Sequence, residues 1–180
     1  QLAVTYDAIA PTVLLSAPAT LVNAAFTATI TFSENVTDFV VADISASNAT
    51  LSDFSGSGTS YTVLVTPTTD GTVTLDVVNA VAVDVAGNSN NAAGQLVVTY
   101  DATAPTVALT TAATLVNEPF TVTATFSETV TGVELADFVV TNGTAGNLAA
   151  LGNAYSVLIT PTADGDVTVN MAAGAASDAA

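Results

Sequence analysis

Lysine, arginine and histidine are absent from this sequence, against 16 acidic residues and a formal net charge of −16. No side-chain ion pair can form, so any counter-charge must come from solvent cations or from another molecule. No nucleic-acid partner is expected, because that affinity rests on cationic contacts to phosphate. Attraction to an anionic membrane surface is excluded by the same argument. Cysteine is also absent, which removes disulfides and thiolate metal sites. No run approaches the ~20 apolar residues of a membrane helix, so no membrane insertion is expected.

The missing types also exclude most catalysis. Without His, Cys or Lys the usual general bases and activated nucleophiles are lacking. A carboxylate pair of the glycosidase kind remains conceivable. Yet there is no Trp to line a sugar site, and Tyr6, Tyr61, Tyr100 and Tyr155 fall on expected core-facing positions. The chain reads as a non-enzyme.

What is present is repetition. A shift of 94 (Tyr100 − Tyr6) lays residues 1–86 on 95–180 without a gap, and 44 of those 86 pairs are identical. The seam QLVVTYDATAPTV at 95–107 returns at the start as QLAVTYDAIAPTV, 1–13. A period this long indicates a tandem array of whole domains. Half the residues are hydrophobic, mostly Ala and Val, and Thr is abundant. Val and Thr favour strands. Phe26, Ala28, Ile30 and Phe32 alternate with Thr27, Thr29 and Thr31, as do Phe120, Val122, Ala124 and Phe126 in the second copy. One buried face and one wet face is the pattern of antiparallel sheets.

Turn signals fall at residues 33–35, 55–59, 67–71 and 86–94. The fold class expected is all-β, two tandem immunoglobulin-like antiparallel β-sandwiches. Strands are placed near 12–16 (A), 26–32 (B), 43–47 (C), 50–54 (D), 61–66 (E), 72–78 (F) and 95–100 (G). Adding 94 gives the second copy, which lacks its last strand. The domains are therefore residues 8–101 and 102–180, preceded by residues 1–7 as an orphan G-type strand of a preceding or neighbouring unit.

The chain resembles the bacterial Ig-like domains of giant secreted repeat adhesins. The similar parts are VTYDATAPTV at the seam, TFSENVT and TFSETVT after strand B, ADFVVTNGT near C, YTVLVTPTTDGTVT through E and F, and DVAGNSNNAAG before G. The resemblance implies an extracellular, cell-surface stalk or spacer, often stiffened by calcium at its seams. Its partners would be further repeats in the same polypeptide or copies of itself, head to tail. Two alternatives remain open: a module binding glycan or protein at a loop tip, and an accessory domain of a larger secreted enzyme. The family often carries some Lys; this chain has none.

In an immunoglobulin-like sandwich the start of A, the B–C turn and the F–G turn meet at one pole. That pole would receive Asp7, Glu34, Asp43, Asp84 and Asn88, and in the second copy Asp101, Glu128, Asp137 and Asp178. Calcium takes six to eight oxygen ligands, whereas zinc prefers His or Cys. These acids are therefore candidate calcium ligands, although no EF-hand or nonapeptide motif is present. The alternative for each is a solvated loop acid. Two complete units need 2 × 94 = 188 residues and the chain has 180. Leu2, Val4 and Tyr6 have the alternation to complete a second domain by strand donation. A window cut from one continuous array would give the same pattern. Sequons stand at Asn35, Asn48 and Asn142, a frequent accident in a chain rich in Thr and Asn.

Overall fold

The computed structural model describes residues 1–180. The chain divides into unit 1, Gln1–Ala102, and unit 2, Thr103–Ala179. Both are all-β. No helix is long and apolar enough to cross a membrane.

Unit 1 contains β1 (Val13–Ser16), β2 (Leu21–Val22), β3 (Phe26–Thr37), β4 (Ile44–Ser47), β5 (Ala49–Pro67), β6 (Gly71–Val77), β7 (Val83–Asp84) and β8 (Leu96–Tyr100). One sheet runs β1-β3-β5, with β7 also on β3; the other runs β2-β8-β6-β4. This is the division of strands expected for an immunoglobulin-like sandwich. The first edge of the chain serves both sheets. β1 pairs antiparallel with β3, and the short β2, not foreseen from the sequence, pairs parallel with β8.

The alternation in the sequence becomes the core. Phe26, Ala28, Ile30 and Phe32 are buried, as are Tyr61, Val63 and Val65 opposite them. Val73, Leu75, Val77 and Val98 close the core from the second sheet. Thr27 and Thr31 face solvent; Thr29 is half-buried. With no disulfide and no Trp, one end of the core is filled by rings. Phe39 lies 5.1 Å from both Phe32 and Tyr61, and Phe54 stacks on Tyr61 at 5.6 Å. Such pairs add to what their buried area alone contributes.

One expectation is corrected here. The turn placed at 33–35 is strand. β3 continues to Thr37 through an irregularity between Thr31 and Val36, and the chain reverses only at Asp38, where φ is +68°. A bulge inserts residues without ending the strand, and alternation scored in short windows reads that as a stop. β5 is a hairpin in one continuous run. Its flanks meet, because the Thr68 N–H donates to the Asn48 carbonyl at 3.1 Å. Nineteen residues of straight strand would separate those flanks by about 60 Å, so β5 doubles back on itself. Its two arms correspond to the expected D and E strands.

Asn48 then holds the arms closed. Its Nδ2 donates to the Thr69 carbonyl at 2.7 Å, while its Oδ1 accepts from the Thr68 and Thr69 hydroxyls, each at 2.8 Å. Asn142 repeats the role with Ala163 and Thr162. A glycan on either Nδ2 would displace these contacts, so two of the three sequons are structural asparagines.

Unit 2 contains β9 (Val107–Thr110), β10 (Phe120–Phe126), β11 (Phe138–Thr141), β12 (Gly143–Leu151), β13 (Ala154–Pro161) and β14 (Thr168–Met171). One sheet runs β12-β13-β10-β9, and the other has only β11 and β14. No strand follows β14 in residues 172–180. Val122, Ala124, Phe126, Val157 and Ile159 form the centre of a smaller core.

Candidate metal centre

The irregular part of β3 has a local consequence. Ser33 and Thr12 exchange hydrogen bonds, Ser33 N–H to the Thr12 carbonyl at 2.9 Å and Thr12 N–H to Ser33 Oγ at 3.0 Å. This ties the bulge of β3 to the entry of β1 and brings Glu34 towards Asp7. On the other side Val36 and Thr37 pair with Asp84 and Val83 of β7. Three segments far apart in sequence therefore converge. One carboxylate oxygen from each of Asp7, Glu34 and Asp84 lies within 4.8 Å of the other two.

Asn88 binds the group together. Its backbone N–H donates to Asp84 Oδ1 at 2.8 Å, and its Nδ2 donates to Asp84 Oδ2 at 2.8 Å and to the Asp7 carbonyl at 3.3 Å. Asp84 is buried, Glu34 half-buried and Asp7 exposed. Burial pushes the Asp84 carboxyl up, but hydrogen bonds from the Asn88 side chain and from the backbone of Asn88, Ala86 and Gly87 outweigh it. Its pKa ends below the ordinary 3.8. Glu34 goes the other way. Partial burial raises it above the ordinary 4.5, and the charges of Asp7 and Asp84 raise it further. Glu34 is thus the member whose ionisation the cluster resists.

A hard cation fits this donor set. Calcium sits about 2.4 Å from its oxygens, so two ligands on opposite sides of one ion are no more than about 4.8 Å apart. The three carboxylate oxygens lie no farther apart than two ligands of one such ion can be. It would supply the counter-charge that no side chain of this sequence can supply.

Asp43 and Asp137 lie outside this group. Asp43 closes a 3-10 turn, Val41–Asp43, where its Oδ2 accepts from the Val40 N–H at 2.8 Å. Strand C begins one residue later than expected, at Ile44. Asp137 does the same for Leu135–Asp137, accepting from the Glu134 N–H at 2.7 Å. Each carboxylate closes its own turn, a role that the sequence ADI and ADF did not disclose. Asp101 follows β8 in unit 1, its N–H donating to the Val22 carbonyl at 3.0 Å. Glu128 follows β10 and Asp178 lies near the end of unit 2; by sequence they are the counterparts of Glu34 and Asp84.

One organising residue was not foreseen. Asn90 is buried, and its Oδ1 accepts from the Val81 and Ala82 N–H groups, both at 2.9 Å. Its Nδ2 donates to the Val78 and Asn91 carbonyls at 3.0 and 2.8 Å. All four contacts of a buried amide are satisfied, and they fix the loop that carries Asp84 and Asn88. The run NSNNAAG contains three asparagines, and nothing in it marks which one is buried.

Tyr6 departs from the core-facing expectation, being exposed within its own chain, whereas Tyr61 is buried and Tyr100 and Tyr155 are half-buried.

The family described as bacterial Ig-like domain matches residues 7–100 and again 101–180. Among solved structures the chain is similar to that of invasin, a bacterial integrin-binding protein. The identity is 16%, the TM-score 0.47, and the match covers 87% of this chain and 36% of the other. The chain thus spans little more than a third of that protein's length. No curated protein matches it.

Proposed function

Because the chain belongs to the bacterial Ig-like domain family, we propose that it is a non-enzymatic spacer of an extracellular adhesin array. Its units would follow one another head to tail, and Asp7, Glu34 and Asp84 would hold calcium. The observation that carries the reading is one sandwich made twice in register, 94 residues apart, with no cationic side chain. Repetition of a whole domain multiplies length without adding a new site, which is what a stalk needs. Acidity keeps such modules soluble and apart, at the cost of self-repulsion that a divalent ion relieves.

The metal part is tested by calorimetric titration of the chain with calcium. Binding is expected, with a rise in the unfolding temperature of unit 1. Asp84→Asn should weaken it more than about tenfold, since even residues that only support a metal ligand cost that much. Acid opposes binding because the ligands must be deprotonated. Glu34 has the raised pKa, so affinity is expected to fall first as pH drops through its value. Without the ion the sign for stability is the opposite. Glu34's contribution is fully present below its ordinary 4.5 and is lost as pH rises through the raised value. Calcium should therefore stabilise unit 1 most above that range. No heat and no thermal shift at millimolar calcium would remove the metal from the proposal.

A further inference from the structure

The chain crosses unit 1 from pole to pole. β1 pairs antiparallel with β3, and Val13 stands opposite Phe32. At its other end β3 sets Phe26 opposite Val65, after which β5 turns through residues 68–70 into β6 at Gly71. β8 ends with Tyr100 opposite that same Gly71. The entry at Val13 and the exit at Tyr100 are therefore at opposite ends of the sandwich, separated by about 20 Å of strand along β3. Both ends are tied down. Pro11 is fully buried, and its carbonyl accepts from the Asn91 N–H at 2.8 Å. The Ala102 N–H donates to Asp70 Oδ1 at 2.9 Å, which fixes the exit to the turn before β6.

Between those ends the entering and leaving strands are bonded to each other. β2 lies parallel to β8, with Leu21 beside Thr99 and Val22 beside Tyr100. The Thr99 N–H donates to the Thr20 carbonyl at 2.8 Å, and the Asp101 N–H donates to the Val22 carbonyl at 3.0 Å. Tension along the chain pulls β2 towards the entry and β8 towards the exit. Parallel strands pulled in this way slide along their own axes, and the bonds that lie across the slide are strained together. Strands parted from a shared end give up their bonds one at a time. Ahead of this pair β1 is loaded along its axis as well, with four residues paired on β3 and with Val13 and Leu15 in the core. Val22 and Tyr100 pack against the same core, so sliding also drags apolar side chains across it.

We propose that unit 1 is a tension-bearing link, in which the parallel pair β2–β8 joins the entering chain directly to the leaving chain and resists pulling in shear. This role goes beyond spacing and rests on the head-to-tail reading above, since a chain carries tension only when it is held on both sides. It gives the two-residue β2 a function that its length does not suggest. Resistance to forced unfolding is set by the unfolding rate and not by equilibrium stability. A strand as short as β2 adds little to the core, yet it bridges the two segments through which force arrives and departs.

The absence of native cysteine lets force be applied at chosen points of the full chain. Single-molecule handles at Ala8→Cys and Ala102→Cys, both exposed positions, pull unit 1 along the chain and shear β2 against β8. Handles at Asn23→Cys, also exposed, and Ala102→Cys sit beyond the same ends of the two strands and part them bond by bond. The measurement is made with a chelator present, which keeps the metal reading out of it. The first geometry is expected to need about twice the unfolding force of the second, since two β2–β8 bonds are strained at once and not in turn. Thr99→Pro removes the N–H given to Thr20. It should lower the first force and leave the second nearly unchanged, whereas a general loss of stability would lower both. Equal forces in the two geometries would overturn the proposal, and so would Thr99→Pro lowering both alike. Should that variant not fold, the comparison of geometries decides alone. Either failure leaves the spacer and metal readings standing, and a failed calcium titration leaves this comparison untouched, so the failures are separable.

Discussion

Phe32→Ala is expected to destabilise unit 1 by about 3–5 kcal/mol, the usual cost of emptying a buried aromatic site. Phe32 is 2% exposed and sits edge-on to two rings, Phe39 at 5.1 Å and Tyr61 at 5.9 Å. It is one of the four rings that close this end of the core and meets two of the other three. Its removal leaves a void that the stiff β3 strand cannot collapse into, because β1 and β5 hold it on both sides. Thr31→Ala, one residue earlier and exposed, should change stability by less than about 0.5 kcal/mol. Phe126→Ala in unit 2 should fall at the lower end of the same range, since one ring, Tyr155 at 5.9 Å, meets it edge-on. Denaturant unfolding followed by hydrogen exchange at Val63 and Val157 separates the two units. Equal losses for Phe32 and Thr31 would show that the strand faces are assigned the wrong way round.

The second large effect is expected at Gly56. Its φ is +125°, a backbone conformation close to glycine-only. A Cβ built there would meet the Ser60 carbonyl oxygen and lie 2.6 Å from the Tyr61 Cα, both backbone atoms of the opposing arm of β5. Neither can swing aside as a side chain would. Gly56→Ala should therefore cost more than the roughly 1–3 kcal/mol of a strained backbone position alone. Gly71 is the control. Its φ is also +125°, yet a Cβ added there would meet nothing within 4 Å. Gly71→Ala should cost the strain and no more, so a ratio near one between the two variants would refute the close approach. Unit 2 manages the same hairpin with Ala150 at the corresponding position, in a strand whose pairing slips between Gly146 and Ala149. The two hairpins are thus built differently from aligned sequences.

Three kinds of statement were legible in the chain from chemistry alone. The period-two alternation around Phe26 and Phe120 placed strands and their buried faces, because successive side chains of a strand leave opposite sides. The 94-residue shift gave the number of repeated units and aligned their strands. The missing Lys, Arg, His and Cys ruled out side-chain ion pairs, thiolate chemistry and cationic side-chain contacts to phosphate, since no fold can supply a group that the chain does not contain.

What tertiary structure decided was which acids meet. Asp7, Glu34 and Asp84 converge because β3 bulges beyond Thr31 and a two-residue strand, β7, pairs with its far end. Asp43 and Asp137 looked equivalent in sequence and instead close their own 3-10 turns. Alternation reports only which side of a strand is wet. It carries no information on where a bulge re-aims a side chain, or on which of three neighbouring asparagines satisfies a buried loop. Those outcomes depend on backbone groups distant in sequence finding partners. For the acids of this chain that pairing, and not their spacing, brought three carboxylates together while Asp43 and Asp137 were left to their own turns.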